Sequence, residues 1–291
     1  MTMENSSSSE NDPLILSHFQ LKTLKQALRR DERQVQVSLD LNLTQSPVEL
    51  DATAIYFADG TQLTWDDAQD ILDDENGCFV LEADGLRKIQ SFSSTTRRHC
   101  TLYPTTGAPT LLIAGFPMHR IKNTDPYKDT LSKIRAASPQ GMVLDTSMGL
   151  GYTAIQAAKT SQHVITLEID PSVVEIARQN PWSRELFTNT RIERRLAHSA
   201  EEIETFDDGE FTRIIHDPPV FSLAGELYSG VYYQELFRIL RRGGRLFHYI
   251  GDLKSPSGAR VVRGVIERLG KAGFVRIDKR FEAFGVVAFK P

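Results

Sequence analysis

Residues 214–222 read IIHDPPVFS. Two isoleucines lead to His216 and Asp217, and Pro218 and Pro219 follow at once. Proline has no N–H to give a β-ladder, so a strand must stop there. That leaves a carboxylate at the strand end and an aromatic, Phe221, just beyond. A carboxylate in a rigid loop can accept hydrogen bonds from an amine and so orient a nucleophile. A second stretch, LDTSMGLGYTA, occupies 144–154. Its Gly149 and Gly151 let the backbone come close to a ligand, and with Ala154 they match the G-x-G-x-x-A pattern of dinucleotide-binding turns. Asp145 stands four residues before Gly149. A third carboxylate, Glu168 in VITLEIDP, lies 17 residues after Gly151 and suits a diol, because it accepts two hydrogen bonds. Asp170, before Pro171, is placed to cap the next helix, which leaves Glu168 free for a ligand.

These stretches need a frame that brings three strand ends together. After Arg120, a helix candidate DPYKDTLSKIRAAS precedes apolar runs that alternate with amphipathic ones. The strand candidates are GMVLDTS, HVITLEID, RIERRLA, FTRIIHD, GRLFHYIG, FVRIDKRF and GVVAFKP. The helix candidates are GYTAIQAAKT, PSVVEIARQN, AEEIETF, VYYQELFRILRR and GARVVRGVIERLGKAG. Such alternation requires crossovers and predicts an α/β fold with a doubly wound, mostly parallel seven-stranded sheet. EAFG or less separates the last two strands, too little for a crossover, so that pair must be antiparallel. Ligands of open α/β sheets bind outside the carboxyl ends of the strands. That selects the places after VLDTS, after ITLEID and at HDPP.

The chain before Arg120 reads differently. Residues 1–11 lack an apolar signal core and read as a disordered tail. Residues 12–119 read as a small strand-rich domain, with one helix over Leu14–Arg30 and a second, TWDDAQDIL, capped by Thr64 with Asp67 three residues on. Residues 120–291 then form the cofactor-binding domain.

An acid four residues before the first of two glycines resembles motif I of class I S-adenosylmethionine-dependent methyltransferases, D-x-G-x-G-x-G. Asp145, Gly149 and Gly151 match it, and Ser147 stands where the remaining glycine would be. MHRI (118–121), GLGYTA (149–154), NPWSREL (180–186), HDPPVFS (216–222), AGELYS (224–229) and FHYIGD (247–252) together resemble a group of predicted methyltransferases defined by sequence. The resemblance implies a Rossmann-like methyltransferase sheet with S-adenosylmethionine as cofactor. It implies a binding set of Asp145, Thr146, Ser147, Gly149, Gly151, Glu168, Ile169 and Ser199. Glu168 would bond the ribose hydroxyls, and Ser199 sits near the place from which the adenine amino group is read. Asp217, Pro218 and Pro219 match the (D/N)-P-P-(Y/F) loop of amino-methyltransferases, with Val220 at the aromatic position and Phe221 one place late. That loop implies that Asp217 and the Pro218 carbonyl accept hydrogen bonds from a target amino group, on an RNA base or a small amine. Phe221 then either stacks on the acceptor or packs into the core. HDPPVFSLAGELYSGVYYQELFRIL is also similar in outline to spermidine synthases, which move an aminopropyl group from decarboxylated S-adenosylmethionine. Their loop offers two acids, where this one offers Asp217 alone.

Other residues have narrower readings. His119 and Arg120 fall at the domain junction, where a substrate cleft is expected. Arg120 would hold an anion there or form a surface salt bridge. His216 and His248 end neighbouring strands and are expected at the cleft, with a structural hydrogen bond as the alternative. The seven histidines show no metal-ligand spacing, so no metal is expected. Tyr228, Tyr232 and Tyr233 would divide between cleft and core, and LRRGGRLF would be a charged helix end with a glycine stop. A net charge of -4 provides no global basic field toward nucleic acid. The only cysteines, Cys78 and Cys100, exclude a disulfide scaffold and point to a reducing cytoplasm. They also lie far in sequence from the site, which argues against carbon-5 pyrimidine chemistry with a cysteine nucleophile. No apolar run approaches the roughly 20 residues that span a bilayer, so no membrane partner is expected; a homo-oligomer stays open. The reading is a methyltransferase acting on an amino nitrogen, with Asp217, Pro218, Phe221, His119 and Arg120 around the acceptor. The alternatives are an aminopropyltransferase, a nicotinamide-dependent oxidoreductase and a binding protein without chemistry. The acid before the glycines and the antiparallel terminal strand argue against the oxidoreductase.

Overall fold

The computed structural model describes residues 13–291, the side chain of Ser257 apart; the tail expected at 1–11 lies outside the described residues. Strand β1 (Met142–Asp145) is buried on both faces, with Val143, Leu144 and Asp145 each 0 % exposed. That is what a central strand covered by helices on two sides requires. It is flanked by β2 (His163–Glu168) and β4 (Phe211–His216), both parallel to it. β3 (Ile192–Leu196) pairs in parallel with β2, and β5 (Leu240–Tyr249) with β4. β6 (Val275–Arg280) and β7 (Gly285–Phe289) pair antiparallel, and β7 also runs antiparallel to β5. The order across the sheet is β3-β2-β1-β4-β5-β7-β6. The mostly parallel seven-stranded sheet with an antiparallel last strand is as the sequence predicts. The order reverses between β1 and β4, and the crevice this opens lies at their carboxyl ends.

Helix starts follow the chemistry of their caps. α1 (Pro126–Ala137) opens with Pro126 in its first turn and Asp125 accepting from the Lys128 N–H at 2.9 Å. α2 (Tyr152–Ala158) follows the glycine turn directly. α3 (Pro171–Gln179) is capped by Asp170, which accepts from Ser172 N–H at 2.9 Å, as expected. α4 (Gly230–Ile239) and α5 (Pro256–Lys271) are capped by Ser229 and Ser255. Each such cap stabilises its helix by about 1 kcal/mol. α4 ends earlier than expected, and Leu240 already begins β5, so LRRGGRLF is largely strand.

The amino-terminal part is strand-rich. It contains a three-stranded and two four-stranded sheets, all antiparallel within. The helix expected over 14–30 begins only at His18, because Ser17 and Gln20 form a capping box there. Leu14–Leu16 instead pairs with Phe79–Glu82. Thr64 caps the helix Trp65–Asp73 as predicted. Leu16, Leu21, Leu24, Ile55, Leu63 and Ile71 form a core of their own. By contrast Cys78, Ile89, Cys100, Leu102 and Leu111 belong to one core with Val143, Ala154, Val164 and Val173. The sheet built from Gln90–Phe92, His99–Tyr103, Thr110–Ile113 and Phe116–Pro117 is therefore packed onto the same face as α3 and walls one side of the crevice. Among the described residues no helix is long and apolar enough to cross a membrane.

Candidate active site

A cavity of about 730 Å³ opens at the carboxyl ends of β1, β2 and β4, a volume suited to a nucleoside-sized ligand. The glycine turn forms its floor. Gly149 and Gly151 adopt φ of +51° and +76°, a region that L side chains rarely enter. A Cβ on Gly151 would lie 2.5 Å from Leu186 Cδ2, whereas one on Gly149 would meet nothing within 4 Å. So Gly151 is needed for packing and Gly149 for open space toward the cavity. NPWSREL supports this turn: Ser183 Oγ donates to the Leu150 carbonyl at 2.7 Å, and Asn180 Nδ2 donates to Tyr152 and to Ser183 at 2.9 and 2.8 Å.

Glu168 ends β2 and lines the cavity. Its Oε2 accepts from Gly149 N–H at 3.0 Å, and its Oε1 from Ile169 N–H at 3.0 Å and Asp170 N–H at 3.1 Å. Burial pushes the carboxyl up to about 7, against these three amides. Thr146, Ser147, Ile169 and Ser199 also line the cavity, and the Ser199 hydroxyl shares a 2.6 Å hydrogen bond with Tyr232. Asp145 does not reach it. Its carboxylate is 0 % exposed beneath the turn, and Oδ2 accepts from Thr153 at 2.9 Å and Thr166 at 3.1 Å. Burial raises it to about 7 as well. It ties β1 to α2 and β2.

Asp217 ends β4 on the opposite side of the turn, and Pro218, Pro219 and Val220 line the cavity with it. Phe221 does not: it is 56 % exposed and meets Tyr228 edge-on at 5.5 Å. Neither stacking on an acceptor in the cavity nor packing into the core describes it. Tyr228 donates to the Pro219 carbonyl at 3.0 Å and holds the loop. Tyr228, Tyr232 and Tyr233 are all buried, and none lines the cavity. His216 and His248 are each 0 % exposed, so the cleft-facing expectation fails. His216 Nε2–H donates to the Leu227 carbonyl at 2.9 Å, so its Nδ1 accepts from Thr146 at 2.7 Å. His248 bonds Tyr233 at 2.8 Å in the same layer. Burial pulls both imidazoles far below the usual range. They join the strand ends to α4.

The Asp217 side of the cavity holds residues that the sequence pattern did not single out. Lys133, on α1, is 1 % exposed and donates to Asp217 Oδ2 at 2.6 Å. It also lies 3.1 Å from Asp129 Oδ2, and its Nζ sits 4.3 Å from the centroid of the Tyr249 ring. Asp129, 0 % exposed, is also paired with Arg120 Nε. Two carboxylates overcome burial and hold the Lys133 ammonium charged, well above its ordinary range. Burial pushes Asp217 up, and Lys133 opposes it. Arg120 stacks on Phe284 at 3.8 Å and donates to the Glu282 carbonyl at 2.9 Å. It lines the cavity as part of a buried network, neither a surface salt bridge nor an uncommitted anion clamp. His119 also lines it, bonded to Thr110 Oγ1 at 3.0 Å; burial drops its pKa to about 3, so it is neutral at physiological pH. One signal for Lys133 and Asp129 exists in the sequence. They fall at i and i+4 on the stripe of α1 that Pro126, Thr130, Ala136 and Ala137 bury.

No family model matches the sequence. A spermidine synthase solved with the transition state analogue AdoDATO is 19% identical and superposes with a TM-score of 0.54, covering 68% of this chain and 71% of that one. Spermidine synthase from Thermotoga maritima, also 19% identical, gives 0.53 over 69% and 71%. At that identity the likeness is one of fold. Across nearly the whole chain a closer relative exists: Uncharacterized protein MJ1233 of Methanocaldococcus jannaschii is 40% identical over 285 residues, 96% of this chain and 97% of the relative. The chain belongs to the same protein family as MJ1233.

Proposed function

We propose that this protein is an S-adenosylmethionine-dependent methyltransferase acting on an amino nitrogen. The observation that carries the reading is Glu168: a strand-end carboxylate fixed by three main-chain amides, facing the cavity beside a glycine that leaves open space. A carboxylate has about four acceptor positions, and the three amides take three of them, so one stays available on Oε2 to a ribose hydroxyl. Thr146, Ser147, Gly149, Ile169 and Ser199 would complete the cofactor's contacts, with Asp145 and Gly151 shaping the turn beneath. When bound, the cofactor supplies a methyl group on a cationic sulfonium. The chain's part is to bind, align and exclude water. Asp217 would accept a hydrogen bond from the acceptor N–H and keep its lone pair in line, with Pro218 and Pro219 fixing the loop. His119, neutral and half-buried, and Tyr249 would wall the acceptor off from solvent.

A second reading, aminopropyl transfer from decarboxylated S-adenosylmethionine, draws on the fold shared with the two spermidine synthases. Calorimetric titration with S-adenosylmethionine, its decarboxylated form and NAD separates the readings. Preferential binding of S-adenosylmethionine is expected. A preference for the decarboxylated form favours the second reading, and binding of NAD alone overturns both. Asp217→Ala should then keep cofactor binding and lose turnover in an acceptor screen.

A further inference from the structure

The acceptor end of the cavity is electrically full. Arg120, Asp129, Lys133 and Asp217 form a chain of two cations and two anions. Lys133 cannot swing away to free Asp217, because it is 1 % exposed on the buried face of α1 and is held by both carboxylates and the Tyr249 ring. An arriving ammonium would meet a neutral cluster and lie beside a buried like charge, which is costly where dielectric is low. An uncharged N–H group meets something different. Among the described residues nothing donates to Asp217 Oδ1, and the Asp217 side chain keeps 15 % exposure. Tyr249 and Phe284 line the cavity close by as ring walls. Of the other cavity-lining acids, Glu168 is held by three main-chain amides and Asp170 by the Ser172 N–H and the Thr96 hydroxyl at the end of β2, and the remaining two cannot replace Asp217 for a cation. Glu226 is 54 % exposed and 3.7 Å from His198, and Asp252 is exposed at the rim; solvated carboxylates hold a cation weakly.

We infer that the acceptor presents an uncharged N–H group to Asp217 Oδ1, that protonated aliphatic polyamines are rejected, and that Lys133 is the positioning residue that sets this choice by occupying Oδ2. The inference rests on the methyltransferase reading for what is then transferred, but not for the binding preference itself.

The test is calorimetric titration of 1,4-diaminobutane at pH 8.5 into the wild type and into Lys133→Met, each with and without S-adenosylhomocysteine. The wild type should give no diamine binding up to about 10 mM. Lys133→Met, which unblocks Asp217, should gain diamine affinity by about tenfold or more. Wild-type binding of the diamine below that concentration overturns the inference, as does a folded Lys133→Met that gains nothing. Should Lys133→Met not fold, Lys133→Gln takes its place; should neither fold, the wild-type titration decides alone, in either direction. A failed cofactor reading would show in the cofactor titrations and leave the cofactor-free diamine comparison intact.

Discussion

Glu168 and Asp217 each end a parallel strand at the same edge of one sheet and face the same cavity, yet they are held in opposite ways. Glu168 is gripped by the main chain, through the amides of Gly149, Ile169 and Asp170. Asp217 is gripped by a side chain, the Lys133 ammonium from a helix 84 residues earlier. A main-chain grip is neutral and survives changes of side chain. A side-chain grip sets the local charge and depends on one residue. Under the proposed function, the difference would divide the cavity into a cofactor end shaped by backbone around Glu168 and an acceptor end tuned by the charge network around Asp217.

The largest expected effect tests the acceptor end. Lys133→Ala leaves Asp129 and Asp217 short of a buried partner and should lower stability by about 3–5 kcal/mol in urea unfolding. Glu168→Ala, measured the same way, should change it by less than about 1 kcal/mol. Equal losses would erase the distinction between the two grips. Next comes Asp145, the strand-end carboxylate that reaches no cavity. Burial raises its folded carboxyl to about 7. Between the ordinary carboxylate range and pH 7 the folded state therefore holds a proton that the unfolded chain has released. The stability this contributes is complete near pH 4 and is lost as pH rises through 7. Asp145→Asn cannot titrate, so its stability relative to the wild type should climb by about 3 kcal/mol between pH 4 and 8. A difference that stays flat with pH would mean Asp145 is ionised throughout. Smaller again, Glu168→Gln should weaken S-adenosylmethionine binding by about 10- to 100-fold in calorimetry. Wild-type affinity should also fall as pH drops below about 7, where Glu168 takes up a proton, while Glu168→Gln shows no such slope.

The cofactor end was legible because its determinants are close in sequence. Asp145, Gly149, Gly151 and Glu168 span two strands and one turn, and Asp170 before Pro171 declared itself a cap, which freed Glu168. The mostly parallel seven-stranded sheet and its antiparallel last pair followed from alternation and from the short link after Arg280. The acceptor end was not legible. Asp217 was visible at its proline stop, but Lys133 and Asp129 fall inside a helix candidate with no motif to mark them, and packing against β4 and β5 turns that face inward. Phe221 misled because its loop turns at Val220, whose carbonyl accepts from Leu223 N–H at 2.8 Å, so that the aromatic leaves the cavity and the valine lines it. His216 and His248 misled because strand-end position does not say which face a side chain takes; both join the tyrosine layer beneath the sheet.

Gly149→Ala gives the smallest effect and the sharpest comparison. The substitution forces an L side chain into φ +51°, but its Cβ meets no atom within 4 Å, so the stability loss should be about 1 kcal/mol, the cost of the left-handed conformation alone. The alanine keeps the N–H that Glu168 Oε2 accepts at 3.0 Å. If the grip on Glu168 is truly main-chain, the pH at which that carboxyl titrates should not move, as read from its 13C shift in the free protein. Gly149 lines the cavity, so under the proposed function the added methyl takes up room beside the cofactor, and S-adenosylmethionine affinity should still fall. Loss of affinity with an unmoved titration separates the two roles of one residue, its amide holding the carboxylate and its missing side chain leaving room. A titration that moves with the methyl would instead show that the cofactor end, like the acceptor end, is set by side chains.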